Sequence, residues 1–109
     1  MYLDNILNGR KERRLPVMVV VWLAPRESEN GDRRERTYTD NLSAHGVRLR
    51  SVRAWQVGEQ AEITPVKGEP SVRGEAVYCQ KLDDERYCVG FKFVHERLGW
   101  SVLQRFDGV

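Results

Sequence analysis

The 109-residue sequence predicts a single, mainly β domain, and three stretches carry that prediction. Val17-Met18-Val19-Val20-Val21-Trp22-Leu23 is apolar on both alternations and rich in β-branched residues, as in a strand covered on both faces or closing a barrel. Residues 46–51 alternate strictly, with Val47 and Leu49 inward and Arg48 and Arg50 outward. Residues 72–81 and 86–94 form a self-consistent hairpin about Asp83-Asp84. Its antiparallel register sets Glu75 against Lys92, Ala76 against Phe91, Val77 against Gly90, Tyr78 against Val89 and Cys79 against Cys88.

The remaining elements follow in order. Residues 1–8 are a weakly helical or loosely docked lead-in that Gly9 ends, and Arg10-Lys11-Glu12-Arg13-Arg14 follows as a basic cluster. Pro16 leads into the first strand and Pro25 stops it. Asn30-Gly31 marks a hairpin-type turn, and residues 34–39 form a second, more polar strand. Asn41-Leu42-Ser43-Ala44-His45-Gly46 is a polar turn before the alternating third strand. Trp55 anchors a loop, residues 61–66 form a short strand ending near Pro65, and Lys67-Gly68-Glu69-Pro70 is a turn. Leu98, Val102 and Arg105 or Phe106 recur at helical spacing, which predicts a short terminal helix packed on the sheet.

Composition excludes several classes. Hydrophobic content of 40% and charged content of 31% belong to a globular chain with room for one domain. Its 18 basic and 16 acidic residues give a net charge of +2, with no global attraction to nucleic acid or membrane. The positive charge is nonetheless biased, +4 over residues 1–53 and −2 over residues 54–109, and is mostly arginine. The longest apolar run, residues 17–24, falls far short of the ~20 residues a membrane helix needs, and no leader precedes it, so a cytoplasmic protein is expected. Two cysteines without histidines at ligand spacing argue against zinc; in the predicted register a disulfide is geometrically conceivable, but thiols are expected. His45 and His95 are isolated from any nucleophile, which argues against an enzyme.

Two segments carry binding chemistry. Guanidinium forks in the arginine cluster suit phosphate or the O6/N7 edge of guanine. The Asn41 turn offers an amide, a hydroxyl and a glycine that permits positive φ or close approach of a ligand. Taken singly, each is ordinary: a solvated basic run, and a plain loop.

Together they resemble the PilZ domain, the bacterial receptor domain for cyclic di-GMP. Arg10 and Arg14 match its R-x-x-x-R motif, and Asn41, Ser43 and Gly46 match its [D/N]-x-S-x-x-G motif. Val89-Gly90-Phe91-Lys92-Phe93 is similar to the family's G-x-x-F closing strand, so the resemblance spans residues 10–94. It implies a six-stranded antiparallel β-barrel with a short C-terminal helix over residues 15–109, preceded by a flexible arm over residues 1–14. By this resemblance Arg10 and Arg14 would fold over cyclic di-GMP while Asn41, Ser43 and Gly46 form the barrel-side floor, with Arg13 and His45 in support. No cofactor is implied. The expected output is a relay to an unidentified protein effector through a surface change on arm closure. The alternatives are a nucleotide-independent PilZ-like adaptor of the motility or pilus kind, and a small barrel that binds nucleic acid. The last would show exposed aromatics interleaved with basic residues, whereas Trp22, Tyr78, Phe91 and Phe93 are assigned to the core and only Trp55 and Trp100 are left over.

Overall fold

The computed structural model describes residues 18–26 and 33–94. The lead-in and arm, Arg10, Arg13 and Arg14, the Asn30-Gly31 turn and the C-terminal helix lie outside the described residues.

Six strands, β1 (Val20–Pro25), β2 (Glu35–Leu42), β3 (Gly46–Ser51), β4 (Gln60–Pro65), β5 (Val72–Lys81) and β6 (Tyr87–Phe93), close into an antiparallel barrel. Around the barrel the order is β1-β2-β3-β6-β5-β4, and β4 returns to β1 through pairs such as Leu23 with Ile63. Closure gives each strand a hydrogen-bonded neighbour on both sides and leaves no sheet edge.

The core follows from alternation. Val21 and Leu23 of β1, Leu42 of β2, Val47 and Leu49 of β3, Ile63 of β4, Ala76 of β5, and Val89, Phe91 and Phe93 of β6 point inward and are buried. Trp55, on the β3–β4 connection, enters the same core, packs edge-on against Phe91 at 5.3 Å, and donates its indole N–H to Ser51 Oγ at 2.9 Å. It is thus the anchor its loop position suggested. The outside of that loop is clamped by Arg53, whose guanidinium stacks on the Trp55 ring and pairs with Glu59. Buried hydroxyls are satisfied: Thr37 donates to the Arg50 carbonyl at 2.7 Å, and Thr39 accepts from the Val19 amide at 3.0 Å.

Three expectations are corrected. The first strand begins at Val20 rather than residue 17 and runs through Pro25. Its apolar residues divide between faces, so Trp22 lies on the outer wall and not in the core. The second strand continues through Asn41 to Leu42, leaving Ser43, Ala44 and His45 to make the turn.

The third correction concerns the β5–β6 hairpin. Its connection is three residues long, not two: Leu82 N–H donates to the Arg86 carbonyl at 2.8 Å, and Glu85 adopts a left-handed φ of 70°. The pairing next to the turn is therefore shifted by one, giving Lys81 with Tyr87, Gln80 with Cys88, Cys79 with Val89 and Tyr78 with Gly90. A β-bulge at Val77 removes the shift, and beyond it Ala76 pairs with Phe91 and Glu75 with Lys92 as expected. Cys79 consequently packs toward the core while Cys88 faces out, and both are free thiols. Tyr78, expected beside Val89 in the core, is on the outer wall over Gly90.

Candidate functional site

The outer wall formed by β2, β3, β6 and β5 is shaped by two bulges at one level. In β2 the pairing passes from Thr39 with Leu49 to Asn41 with Arg48, so Asp40 is an extra residue. Simple alternation from buried Thr37 and Thr39 would send residue 41 inward. The bulge instead leaves Asp40 and Asn41 both outward and returns Leu42 to the core. Arg48 lies opposite Asn41 on one side and Gly90 on the other, and Gly90 faces Tyr78 beside the Val77 bulge. A single row of outward groups therefore runs from Asp40 and Asn41 through Arg48 to Tyr78.

Charge on this row is uneven. Asp40 Oδ1 accepts from Arg48 Nε at 2.7 Å, while its other oxygen lies 3.8 Å from Arg50 Nε, beyond hydrogen-bonding reach. Arg50 Nε is buried and has no hydrogen-bond partner. Two guanidiniums thus share one carboxylate next to the Asn41 amide, leaving a local positive surplus suited to an anion or to planar acceptor edges.

Titration directions agree with that picture. Burial lowers the Arg48 pKa, but the hydrogen bond and charge of Asp40 more than offset it and the net direction is upward. Burial pushes the Tyr78 phenol well up, and neighbouring Cys88 adds to the effect. Burial likewise raises the Cys88 thiol, although Tyr78, 4.0 Å away, and the Arg48 charge act against it. Both groups are held neutral.

The turn residues play distinct parts. Ser43 is buried; its Oγ accepts from the His45 and Gly46 amides, each at 3.2 Å, and donates to the Gly46 carbonyl at 3.3 Å. Its hydroxyl is thus occupied in shaping the turn. Gly46 is the first residue of β3, paired with Lys92. The left-handed glycines among the described residues are Gly58 and Gly68, so Gly46 is not needed for positive φ. His45 is exposed at the turn tip and its carbonyl accepts from the Phe93 amide at 2.8 Å.

The structure brings Asn41, Ser43, His45 and Gly46 together at one end of the barrel. Val19, near the end of the chain segment that carries the arginine cluster, is bonded to Thr39 in both directions: the Thr39 amide donates to its carbonyl and its own amide donates to Thr39 Oγ1. The arm's root is therefore two residues along β2 from Asn41. Arg14 stands five residues before Val19, a span of at most roughly 18 Å of extended chain.

Asp40 and Tyr78 were not among the residues that the sequence singled out. Asp40 had a signal, since an acid beside Asn41 faces two arginines spaced two apart on the next strand. Tyr78 had none, because its outward position depends on the bulge. No group of three His, Cys, Asp or Glu among the described residues could hold a metal ion.

Comparison with known proteins adds two findings. The family model described as "PilZ domain" matches residues 8–106. Among solved structures, the Bacillus subtilis inhibitor of motility (MotI/DgrA) superposes with a TM-score of 0.67 at 14% identity, covering 92% of this chain. The chain spans about half of that protein, 49% of its length. No curated protein matches by sequence.

Proposed function

This chain belongs to the PilZ family, and on that premise we propose that it is a cyclic di-GMP receptor that relays ligand binding to a protein partner. The observation that carries the proposal is the Asp40 bulge. It turns Asn41 outward beside the Arg48–Arg50 surplus, at the end of the barrel from which the arginine-bearing arm departs.

Arg10 and Arg14 supply the N-terminal half of the site. Their forks bond guanine edges and phosphates, and Arg13 adds to the phosphate contacts. Asn41 provides a donor and an acceptor from the barrel side. Ser43 and Gly46 set the turn that holds it, and His45 borders it. Closing the arm changes the outer surface near Asn41, and that change is the signal a partner reads. Ordering the arm opposes binding, so affinity is moderate and falls with salt. The role is one of binding and not of catalysis.

Calorimetric titration with cyclic di-GMP, alongside Arg14→Ala and a GTP control, tests this. Saturable heat in the wild type, lost in the variant and absent with GTP, is the expected result. No heat and no NMR shift at high ligand concentration would overturn it.

A further inference from the structure

We propose that the outer face of β1 and β2, on the barrel wall beyond the receptor site, binds single-stranded nucleic acid. Trp22, on the outer side of β1, supplies the aromatic platform such a function needs.

Trp22 stands directly opposite Arg36, and the Arg34 guanidinium carbon lies 4.1 Å from the centre of its ring. Tyr38, opposite Val20, continues the same face. Just before and along β2 the outward residues are thus Arg34, Arg36 and Tyr38, with Trp22 of the neighbouring strand opposite Arg36 and its ring under Arg34. Successive outward positions are about 7 Å apart.

A groove of about 270 Å³ runs along this face, lined by Trp22, Ala24, Arg26, Arg34, Glu62 and Thr64. Through Pro25 and Arg26 it meets a second, of about 330 Å³, that Arg33 helps to line. Two of the neighbouring described carboxylates line the grooves themselves and are paired, Glu62 with Arg73 and Glu59 with Arg53, while Glu35 and Asp40 are engaged elsewhere. Glu35 accepts from Ser51 Oγ and the Val52 amide, Glu62 lies 3.5 Å from Arg73, and Asp40 holds Arg48. The positive charge of Arg26, Arg34 and Arg36 is left facing out.

Aromatic rings interleaved with guanidiniums are the combination that binds unstacked bases and their phosphates with little regard for sequence. Exposed Arg34 can give way to a base on Trp22 or stack against it. A duplex offers no free base face to a ring lying in a convex wall. An acidic protein segment would use the arginines and leave the indole without a role.

The test is fluorescence anisotropy of a labelled oligothymidylate of about 20 nucleotides, titrated with the full chain at low salt, with Trp22→Leu, Trp22→Phe and Arg36→Glu variants whose melting is checked first. Wild-type binding should be saturable and fall steeply as salt is raised. Trp22→Leu and Arg36→Glu should each weaken it by about tenfold, with Trp22→Phe retaining more than the leucine variant. Absence of binding overturns the proposal. So does binding that survives both substitutions, which belongs to the basic N-terminal segment. Loss with Arg36→Glu but not Trp22→Leu also overturns it, and marks an anion surface instead.

Discussion

The ring of Tyr78 occupies the space that a side chain at Gly90 would need: a Cβ there would lie 2.6 Å from Tyr78 Cε2. The glycine therefore lets a strand-crossing aromatic lie flat on the barrel wall, beside Arg48 and Cys88.

Gly90→Ala should displace that ring and lower stability by about 1–3 kcal/mol, as overpacking does, seen as a drop in Tm. In a Tyr78→Ala background the same change should cost much less. A coupling near zero in the double-mutant cycle would contradict the contact.

Asn41→Ala and Ser43→Ala should separate by what they change. Asn41→Ala is expected to leave the unfolding free energy within about 0.5 kcal/mol of wild type and to weaken cyclic di-GMP binding about tenfold or more. Ser43→Ala removes the shared acceptor for two turn amides, that of Gly46 buried, and should cost about 1–3 kcal/mol of stability. Chemical denaturation and calorimetry on both variants check the distinction.

Asp40→Asn removes the carboxylate that two arginines share. The positive surplus beside Asn41 grows, so cyclic di-GMP should bind more tightly at low salt and with a steeper salt dependence. Titrations at two ionic strengths measure it, and an unchanged salt dependence would count against a ligand near Arg48.

Stability should fall in alkali. The Cys88 thiol and Tyr78 phenol both titrate higher in the folded chain than their ordinary values of 9.0 and 10.0, so the native state holds their protons longer. That contribution is complete below pH 9 and is lost as pH rises through the folded pKa values. Denaturant midpoints at about pH 8 and about pH 10.5 should show the decline, and Cys88→Ser, which does not titrate there, should flatten it.

Local pattern determined much of this protein. Strict alternation in β3 placed Val47 and Leu49 inside and Arg48 and Arg50 outside, and the structure agrees. The apolar runs and turn residues located all six strands to within a few positions, because burial and turn chemistry act over neighbouring residues. The two motifs, matched in order, identified the family. What the sequence left open was which way certain side chains face. Asn41, Trp22, Tyr78 and Cys79 each depended on long-range pairing. A bulge inserts one residue and reverses the alternation beyond it, and no local preference distinguishes Asp40 or Val77 as the inserted residue. Barrel closure likewise decided that one side of β1 was enough for the core, leaving Trp22 outside. The residue types and their order came from the sequence. Their direction relative to the wall came from strand register, which only the closed barrel sets.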